Sequence, residues 1–404
     1  MNRLEKLIAE LCPDGVKYLT IPELFITRNG YTPSKANAEF WENGTIPWFR
    51  MEDIRENGRI LTKSTQYVSE KAIKGKLFPE DSIIIATSAT IGEHALIKVP
   101  SLANQRFTYL VLKDEFKSSV DMMFIFYYCF KLDEFCKTHL NQGNFASVDM
   151  KQFAEFKFPV PPLPVQREIV RILDNFTELT TELTTELTAR RKQYEYYKSN
   201  LLSFETKTPY KSLSDVADIF DSLHQTPEYI QSGFSMIRVQ DIKGAYIDTA
   251  NTLKVSEEVF SKFVKKYRPQ KDDIVVSRVG SYGNFALVPD DDCCLGQNVA
   301  IIHPNICKRF LFYILNSLEV KQWIDKNVKG ASQKSFSLAD IRRIPIPVPS
   351  IEEQARIVAI LDRFDALCND LTSGLPAEIE ARKKQYEYYR DKLLTFKEIG
   401  KHVI

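Results

Sequence analysis

The sequence predicts an α+β protein in which two similar globular domains are separated by two long antiparallel helices, which form a coiled-coil spacer, with an internal pseudo-two-fold repeat. Two observations predict this fold class. A helical block at residues 166–204 recurs almost unchanged at residues 354–396, and the stretches before the two blocks share one order of strand and helix patterns. The predicted boundaries are 1–160 for the first domain, 161–206 for the central helix, 207–346 for the second domain and 347–404 for the C-terminal helix.

The two helical blocks are copies of one another. The first opens QREIVRILD and closes ARRKQYEYYKSNLL, and the second opens QARIVAILD and closes ARKKQYEYYRDKLL. Matches this close indicate an internal duplication. Apolar residues recur at spacings that are nearly all three or four, which is typical of a helix with one apolar stripe, close to a coiled-coil seam. In the first block they are Ile169, Leu173, Phe176, Leu179, Leu183, Leu187, Tyr194, Tyr197 and Leu201.

The lengths of the helices favour antiparallel packing. Neither Gly nor Pro follows Pro164 in the first block, so one helix of about 58 Å is expected at 1.5 Å per residue. Gly374 and Pro376 predict a kink or break in the second. Helices with one long apolar stripe bury it by packing on each other, and the chain must travel out along one and back along the other.

The first domain has a mixed pattern. A short amphipathic helix at the N-terminus precedes strand candidates at residues 46–50, Ser82–Ala86 and residues 106–112. A strongly apolar helix is predicted at residues 121–138, followed by the polar loop NQGNFAS, a short helix starting near Val148 and a stiff, proline-rich exit.

The second domain repeats this order. Residues 235–239 match 47–51, and DDIVVSRVGSYGNFALV from Asp272 aligns without gaps on DSIIIATSATIGEHALI from Asp81. Residues 295–298 resemble residues 102–105, one apolar helix is predicted at residues 310–328, and KGASQKSFS replaces NQGNFAS. A common frame with different loop residues indicates two binding sites for different versions of one ligand.

Composition and motifs exclude several classes of protein. The hydrophobic fraction of 44% is that of a folded protein, no apolar run reaches the length of a membrane span, and the N-terminus does not read as a signal peptide. The seven cysteines lack metal-ligand spacing and indicate reduced thiols of a cytoplasmic protein. No metal site is predicted. The formal net charge of +1 is low for a stand-alone nucleic-acid binder.

Three function classes remain open on these observations. The helices alone would suit a structural coiled-coil adaptor. A methyltransferase is disfavoured because the chain has no NPPY or DPPY tetrapeptide, no GxGxxG after a strand and no GxxxxGK[ST]. The third class is a DNA-reading protein with two heads, which the divergent loops on a shared frame favour.

The chain resembles the specificity subunit of type I DNA restriction–modification systems. The resemblance rests on PLPVQREIVRILD and PSIEEQARIVAILD, on the two KQYEYY endings and on KGASQKSFS before IPIPVP, and it covers essentially the whole chain. It implies that residues 1–160 and 207–346 are target-recognition domains and that the helices are spacers. It also implies a non-catalytic subunit that binds double-stranded DNA, two methyltransferase subunits and the restriction–translocase subunits. S-adenosylmethionine and ATP with Mg²⁺ would bind only to those partners.

The repeat independently favours a bipartite target. Protein symmetry is mirrored in the DNA, so two related domains should read two half-sites on opposite strands, separated by unread base pairs. Because the domains differ, the target should be asymmetric. The same symmetry offers two equivalent docking surfaces for a partner, which could supply many of the phosphate contacts.

Candidate reading residues are the polar members of the divergent loops. Asn and Gln can bond adenine bidentately, and Arg and Lys can bond guanine. In the first domain they are Thr87, Ser88, Thr90, Asn104, Gln105, Arg106, Asn141, Gln142 and Asn144. In the second domain they are Arg278, Ser281, Tyr282, Asn284, Gln297, Asn298, Ser332, Gln333 and Lys334. Each could instead be a solvated or turn-forming loop residue.

Two features of the helices have functional interpretations. Six tyrosines cover more of the helices than one stripe needs and are candidate partner contacts, with packing between the helices as the alternative: Tyr194, Tyr196, Tyr197, Tyr386, Tyr388 and Tyr389. Residues 177–188 read TELT three times and keep the apolar stripe. We interpret this repeat as a length adjuster that sets the unread spacer, although a solvated low-complexity stretch would look the same.

Overall fold

The computed structural model describes residues 3–141, 146–204, 207–290, 292–328, 335–370 and 372–400. The chain forms two compact units. Unit 1 consists of Met1–Glu182 and Glu380–Ile404, and unit 2 consists of Leu183–Ile379. The division falls inside the TELT repeat of the first long helix, so each unit contains one globular domain and parts of both spacer helices.

Both units contain helices and runs of consecutive strands. In unit 1, before the first long helix, the elements are α1 (Arg3–Leu11), β1 (Lys17–Thr20), α2 (Ile21–Leu24), β2 (Phe25–Asn29), β3 (Ile46–Phe49), α3 (Met51–Asn57), β4 (Ile60–Leu61), β5 (Tyr67–Val68), β6 (Ser82–Ala86), β7 (His94–Ile97), β8 (Leu102–Ala103), β9 (Phe107–Leu112), α4 (Met122–Thr138), α5 (Met150–Glu155) and β10 (Lys157–Val160). The long helix α6 (Leu163–Leu201) runs through both units.

The elements of the second half follow a similar order. They are β11 (Tyr210–Ser212), α7 (Leu213–Val216), β12 (Ala217–Asp221), β13 (Phe234–Ile237), β14 (Leu253–Val255), α8 (Glu257–Phe263), β15 (Ile274–Ser277), β16 (Phe285–Leu287), β17 (Cys293–Leu295), β18 (Val299–Pro304), α9 (Lys308–Leu315), α10 (Leu318–Asn327), α11 (Leu338–Arg342), β19 (Pro345–Pro347), α12 (Ile351–Asn369) and α13 (Leu375–Leu393). Helix α3 and strand β4 have no counterpart in this half, and α8 is added after β14. None of the described helices is long and apolar enough to cross a membrane.

The main sheets of the two units share the order of four strands, and unit 1 adds a fifth, β4. In unit 1 the strand order is β2-β9-β6-β7-β4, and in unit 2 it is β12-β18-β15-β16. Every residue of β6 is buried, as its SIIIA sequence predicts, because this strand is central and covered on both faces. Smaller sheets, β5-β3-β8 and β14-β13-β17, complete the pair of matching domains. The predicted α+β class and the internal repeat are confirmed.

The apolar helix of each unit packs on its main sheet. In unit 1, α4 buries Phe124, Ile125, Cys129 and Leu132 in one cluster with strands β6 and β9. In unit 2 the predicted single helix at residues 310–328 is wrong, since α9 ends at Leu315 and α10 begins at Leu318. The Ser317 hydroxyl between them accepts from Val320 N at 3.3 Å and caps a new helix.

A buried glutamine explains why each helical block opens with this residue. In unit 1 the Gln166 side chain accepts from Asp121 N at 2.8 Å and donates to Ser119 O at 2.8 Å and Pro161 O at 2.7 Å. These bonds clamp the start of α6 to the start of α4.

The second copy of the clamp is weaker. Gln354 accepts from Cys307 N at 3.3 Å and donates to Pro349 O at 3.0 Å.

A hydrogen bond between a tyrosine and an aspartate adds to the clamp in each unit. Tyr127 donates to Asp174 at 2.6 Å in unit 1, and Tyr313 donates to Asp362 at 2.5 Å in unit 2.

The spacer helices pair through the same aromatic contact in each unit. In unit 1, Phe176 stacks on Tyr389 with ring centroids 5.6 Å apart. In unit 2, Phe364 stacks on Tyr197 at 5.4 Å, while Arg191 donates to the Cys368 carbonyl at 3.4 Å. From the first of these unit 2 contacts to the second, the residue number falls on α6 and rises on α12. The predicted antiparallel pairing is therefore confirmed within unit 2.

The first spacer helix is continuous and the second is broken, as the sequence predicts. In the TELT repeat, Thr177, Thr181 and Thr188 each donate a hydroxyl to the carbonyl four residues earlier, so these side chains are satisfied within α6. Between α12 and α13, a Cβ on Gly374 would lie 2.5 Å from the Ala366 carbonyl oxygen. Only glycine therefore fits this break.

Unit 1 is closed by the end of the chain. Val16 N donates to Lys397 O at 2.8 Å, and Ile399 N donates to Val16 O at 3.1 Å. Tyr18 also donates to Phe396 O at 3.1 Å. The segment after α13 therefore packs beside the start of β1.

Candidate nucleic-acid interface

Three loops of unit 1 meet where β6 ends and β9 begins. Thr87 N donates to Arg106 O at 3.0 Å, and Val148 N donates to Thr87 O at 2.9 Å. Ser88 forms a β-bridge with Ser147. These bonds bring together three segments that the sequence marks as candidate reading loops. Together with residues 29–32 we call these segments edge 1, which consists of the described residues of 29–32, 87–92, 104–106 and 141–148.

The polar side chains at the base of edge 1 form a neutral network. The Thr87 and Thr108 hydroxyls lie 3.0 Å apart, and Thr108 donates to Asn29 Oδ1 at 3.0 Å. Thr87 is half-buried, and its hydroxyl helps to hold the loop in place through its contact with Thr108. Thr90 is also half-buried, and the preceding Ala89 has a φ of 64°, a left-handed conformation that alanine rarely adopts.

The turn into β9 presents exposed polar groups. Asn104 is half-buried and accepts from Arg106 N at 3.0 Å, which uses its side chain to shape the turn. Gln105 and Arg106 are exposed, and Gln105 Oε1 accepts a hydrogen bond from the Thr32 hydroxyl. Asn141 donates to Val148 O at 3.2 Å and so ties its loop to the edge.

Unit 2 builds the equivalent edge from the same backbone bonds. Arg278 N donates to Asn298 O at 2.9 Å, and Phe336 N donates to Arg278 O at 2.7 Å. A bridge between Val279 and Ser335 continues this pairing. We call these loops edge 2, which consists of the described residues of 221–224, 278–284, 297–298 and 335–336.

The base of edge 2 is an ion pair rather than a neutral network. Arg278 Nη1 donates to Asp221 at 2.5 Å, and its Nε donates to Phe336 O at 3.3 Å. Only 14% of the Arg278 side chain is exposed. His224 donates to the second Asp221 oxygen at 3.0 Å. The guanidinium is therefore committed to holding the edge together.

The other candidates of edge 2 divide into turn-forming and exposed groups. Ser281 O accepts from Asn284 Nδ2 at 3.2 Å, which closes a tight turn, and Tyr282 packs partly buried against the core of unit 2. Asn298 has a φ of 61° and shapes the entry to β18. Gln297 is exposed and donates to His224 O at 3.1 Å.

Five of the candidate reading residues cannot be placed. Gln142, Asn144, Ser332, Gln333 and Lys334 lie outside the described residues.

Strand register corrects the sequence alignment of the two edges by one residue. Phe49 pairs with Ala103 in unit 1, and the equivalent Ile237 pairs with Leu295 in unit 2. Residues 295–298 therefore match 103–106 rather than 102–105. Arg106 is equivalent to Asn298, which the shared backbone bonds from Thr87 and Arg278 also require.

Sequence reasoning missed the loop that follows the first strand of each main sheet. The last residue of this strand and the loop after it supply Asn29 and Thr32 to edge 1, and Asp221 and His224 to edge 2. The signal that could have found it is the antiparallel pairing of β2 with β9 and of β12 with β18, which places the loop beside the candidate turns.

The six tyrosines of the spacer helices occupy three kinds of environment. Tyr194 is buried in unit 2, and its pKa is raised by burial. Tyr386 packs on the core of unit 1, and burial raises its pKa to about 12. Tyr197 and Tyr389 stack on phenylalanines of the opposite helix. Tyr196 and Tyr388 remain 64% and 62% exposed, which leaves these two available to a partner.

The described residues contain no group of three or more His, Cys, Asp or Glu side chains arranged to hold a metal ion. The buried histidine His94 serves the fold of unit 1. Its Nδ1 lies 2.6 Å from Asp133, and Arg59 lies 3.5 Å from the same carboxylate oxygen. This cluster holds α4 on β7.

Two units with one frame and different polar edges define a class of protein that reads two related ligands. The family described as "Type I restriction modification DNA specificity domain" matches residues 13–190 and 207–381. The chain belongs to this family of type I restriction–modification specificity subunits. It is a non-catalytic subunit that recognises DNA sequence in a type I complex.

Individual relatives support this assignment over most of the chain. The chain is 40% identical over 401 residues to the EcoprrI specificity subunit of Escherichia coli, covering 92% of each. It is 34% identical over 276 residues to the EcoR124I/EcoR124II specificity subunit of the same species, covering 63% of this chain and 68% of that one.

Solved structures show the same fold. A chain from a study of complex assembly and conformational transition of the type I restriction–modification system matches with a TM-score of 0.61 and 17% identity, covering 95% of this chain and 98% of that one. The Mycoplasma genitalium specificity subunit matches with a TM-score of 0.50 and 17% identity, covering 94% and 95%.

Proposed function

We propose that each unit reads one half of a bipartite, asymmetric DNA target through its edge, and that the spacer helices set the number of unread base pairs. The observation that supports this most directly is the pair of edges. They share backbone bonds and strand register but differ at equivalent side chains, with Asn29 against Asp221 and Thr87 against Arg278. A common frame with exchanged polar groups suits two reading heads for two different half-sites.

The partners follow from the same duplication. We expect two methyltransferase subunits to dock, one on each copy of the helix pair, because Tyr196 and Tyr388 are exposed at equivalent positions. Restriction–translocase subunits would complete the complex. S-adenosylmethionine and ATP with Mg²⁺ are expected on those partners and not on this chain. A subunit that reads DNA in such a complex is expected in the cytoplasm with the genome.

Exchange of one reading head tests the proposal. Residues 20–160 are replaced by the same region of a relative, the hybrid is combined with its methyltransferase subunit, and methylated adenines are mapped. One half of the target should change, while the other half should stay as it was. A change in both halves, with the fold intact by circular dichroism, would contradict independent reading by the two units.

A further inference from the structure

The two edges place a glutamine at one and the same position. Arg106 and Asn298 are equivalent by strand register, so the preceding residues, Gln105 and Gln297, occupy the same place at the start of β9 and β18. Both side chains are exposed. Edges 1 and 2 also share a glycine of the first turn (Gly92 and Gly283) and a serine (Ser147 and Ser335), but most of their polar side chains differ. A shared, exposed glutamine at the same place in both edges therefore needs a physical explanation.

Each glutamine amide is oriented by the loop that follows the first strand. In edge 1 the Thr32 hydroxyl donates to Gln105 Oε1. In edge 2 Gln297 Nε2 donates to His224 O at 3.1 Å. His224 has a φ of 35°, a left-handed conformation that residues with a Cβ rarely adopt, and this turn directs its carbonyl to the amide. The partners differ chemically, yet both restrict the amide at the same place.

The bonds leave the groups that adenine requires. Gln297 retains Oε1 and its second N–H, and Gln105 retains both N–H groups and a lone pair of Oε1. None of the described residues bonds these remaining groups. Adenine presents N7 as an acceptor and N6–H as a donor in the major groove, and a glutamine amide matches this pair bidentately. An amide that is already oriented loses less rotational freedom on binding.

The neighbouring arginine does not compete for this role. Arg278 is bonded to Asp221 and to Phe336 O and is largely buried. Its Nε and Nη1 already have partners and only 14% of the side chain is exposed, so little of the guanidinium is open to a base unless it turns away from Asp221. Of the described exposed amides of edge 2, Asn284 closes a turn within its own loop, whereas Gln297 occupies a place that edge 1 also fills with glutamine.

We propose that Gln105 and Gln297 are equivalent base-reading residues, each contacting one adenine of its half-site, and that Thr32 is the residue that positions Gln105. The inference rests on the proposed function, because it assumes that edges 1 and 2 face the DNA. It assigns one base at the same position of each half, and it gives Arg278 a structural role.

Glutamine substitutions test the reading role in the complex with the methyltransferase subunit. Methylation rates are measured on the mapped target and on targets with each base changed in turn. Gln297→Ala should reduce the preference for adenine roughly 5- to 150-fold at one position of the second half-site only. Gln105→Ala should do the same in the first half-site. The matched controls are Gln152→Ala and Gln322→Ala, since these exposed glutamines lie on α5 and α10.

Thr32 variants test positioning separately from folding. Thr32→Val removes the hydroxyl and keeps the shape of the side chain, so it should weaken discrimination at the position read by Gln105. Thr32→Ser keeps the hydroxyl and should retain discrimination. Thermal unfolding should be the same for both variants, because the site is on the surface. Equal base preference in Thr32→Val and the unsubstituted protein would overturn the positioning role.

The outcomes separate this inference from the function on which it rests. If the unsubstituted complex has a bipartite target and both glutamine variants keep its full base preference, the reading role is wrong while the proposed function stands. A uniform loss of rate on all targets would make the glutamines backbone contacts and would also overturn the inference. If the unsubstituted complex has no bipartite target, the proposed function itself fails.

Discussion

The buried glutamine that opens each helical block should hold the spacer helix to its domain unequally in the two units. Gln166 makes three hydrogen bonds to backbone groups, at 2.8, 2.8 and 2.7 Å, whereas Gln354 makes two, at 3.3 and 3.0 Å. Both side chains are nearly inaccessible to solvent. Replacement by leucine keeps much of the volume and leaves these backbone groups unpaired.

The bond counts set the expected magnitudes. A neutral hydrogen bond contributes about 1 kcal/mol net, and a buried group left unpaired costs about 1–3 kcal/mol. Gln166→Leu should therefore destabilise its site by about 3 kcal/mol or more. Gln354→Leu should cost about 1–2 kcal/mol. A loss of 3 kcal/mol corresponds to about a 150-fold change in a local opening equilibrium.

Hydrogen exchange of the clamped amides measures these losses directly. The Asp121 and Cys307 amides are donors to the two glutamines, so peptides that contain them report each clamp in the intact protein. Gln152→Leu, on the exposed face of α5, is the control and should change exchange by less than about 0.5 kcal/mol. Equal loss of protection in Gln166→Leu and Gln354→Leu, or a loss no larger than that of the control, would refute the reasoning.

Three further predictions follow from the spacer helices. Deleting one TELT unit shortens α6 by about 6 Å and turns it by a net rotation of about 40°, which is close to the roughly 34–36° of one B-DNA base-pair step. Methylation mapping should therefore show both half-sites unchanged and the unread spacer shorter by a whole base pair, most simply one. An unchanged spacer with full activity would contradict this. The double substitution Tyr196→Ala and Tyr388→Ala should weaken co-purification with the methyltransferase subunit without lowering the melting temperature. The double substitution Tyr196→Phe and Tyr388→Phe is the control. Unaltered co-purification of the alanine variant would exclude these two residues as contacts. Burial raises the pKa of Tyr386 to about 12, so as the pH rises the unfolded chain loses the phenolic proton before the folded chain does. Unit 1 should therefore lose stability, on the order of 2–3 kcal/mol, between about pH 10 and 12. Tyr386→Phe should remove that part of the pH dependence, and a titration that is the same in both proteins would show that the phenol is not protected.

Periodicity predicts the helices and central strands well because their burial follows a regular pattern. The unbroken α6, the break at Gly374 and the buried strand Ser82–Ala86 are all visible in the sequence. The separation of α9 from α10 is not, since Ser317 lies in an apolar stretch and acts only through its hydroxyl as a cap. Local hydrogen bonding here overrides the apolar pattern.

The candidate site is less predictable because its contacts are long-range. The polar character of their loops identifies Gln105 and Gln297 as candidates in the sequence. Their hydrogen-bond partners Thr32 and His224 can be identified only from the pairing of the strands. Polarity also selects Arg278 as a reader, although its partner Asp221 lies on a strand far away in sequence. Whether a charged loop residue is free or paired depends on such contacts, which no local pattern contains.

Mapping of methylated adenines in a genome that contains this chain and its methyltransferase partner tests the central claim most directly. Two edges on one frame predict a single asymmetric target with two short specified halves and a fixed unread spacer between them. Each half should contain a methylated adenine, on opposite strands. One continuous target without a spacer, or methylation with no defined sequence, would contradict the account.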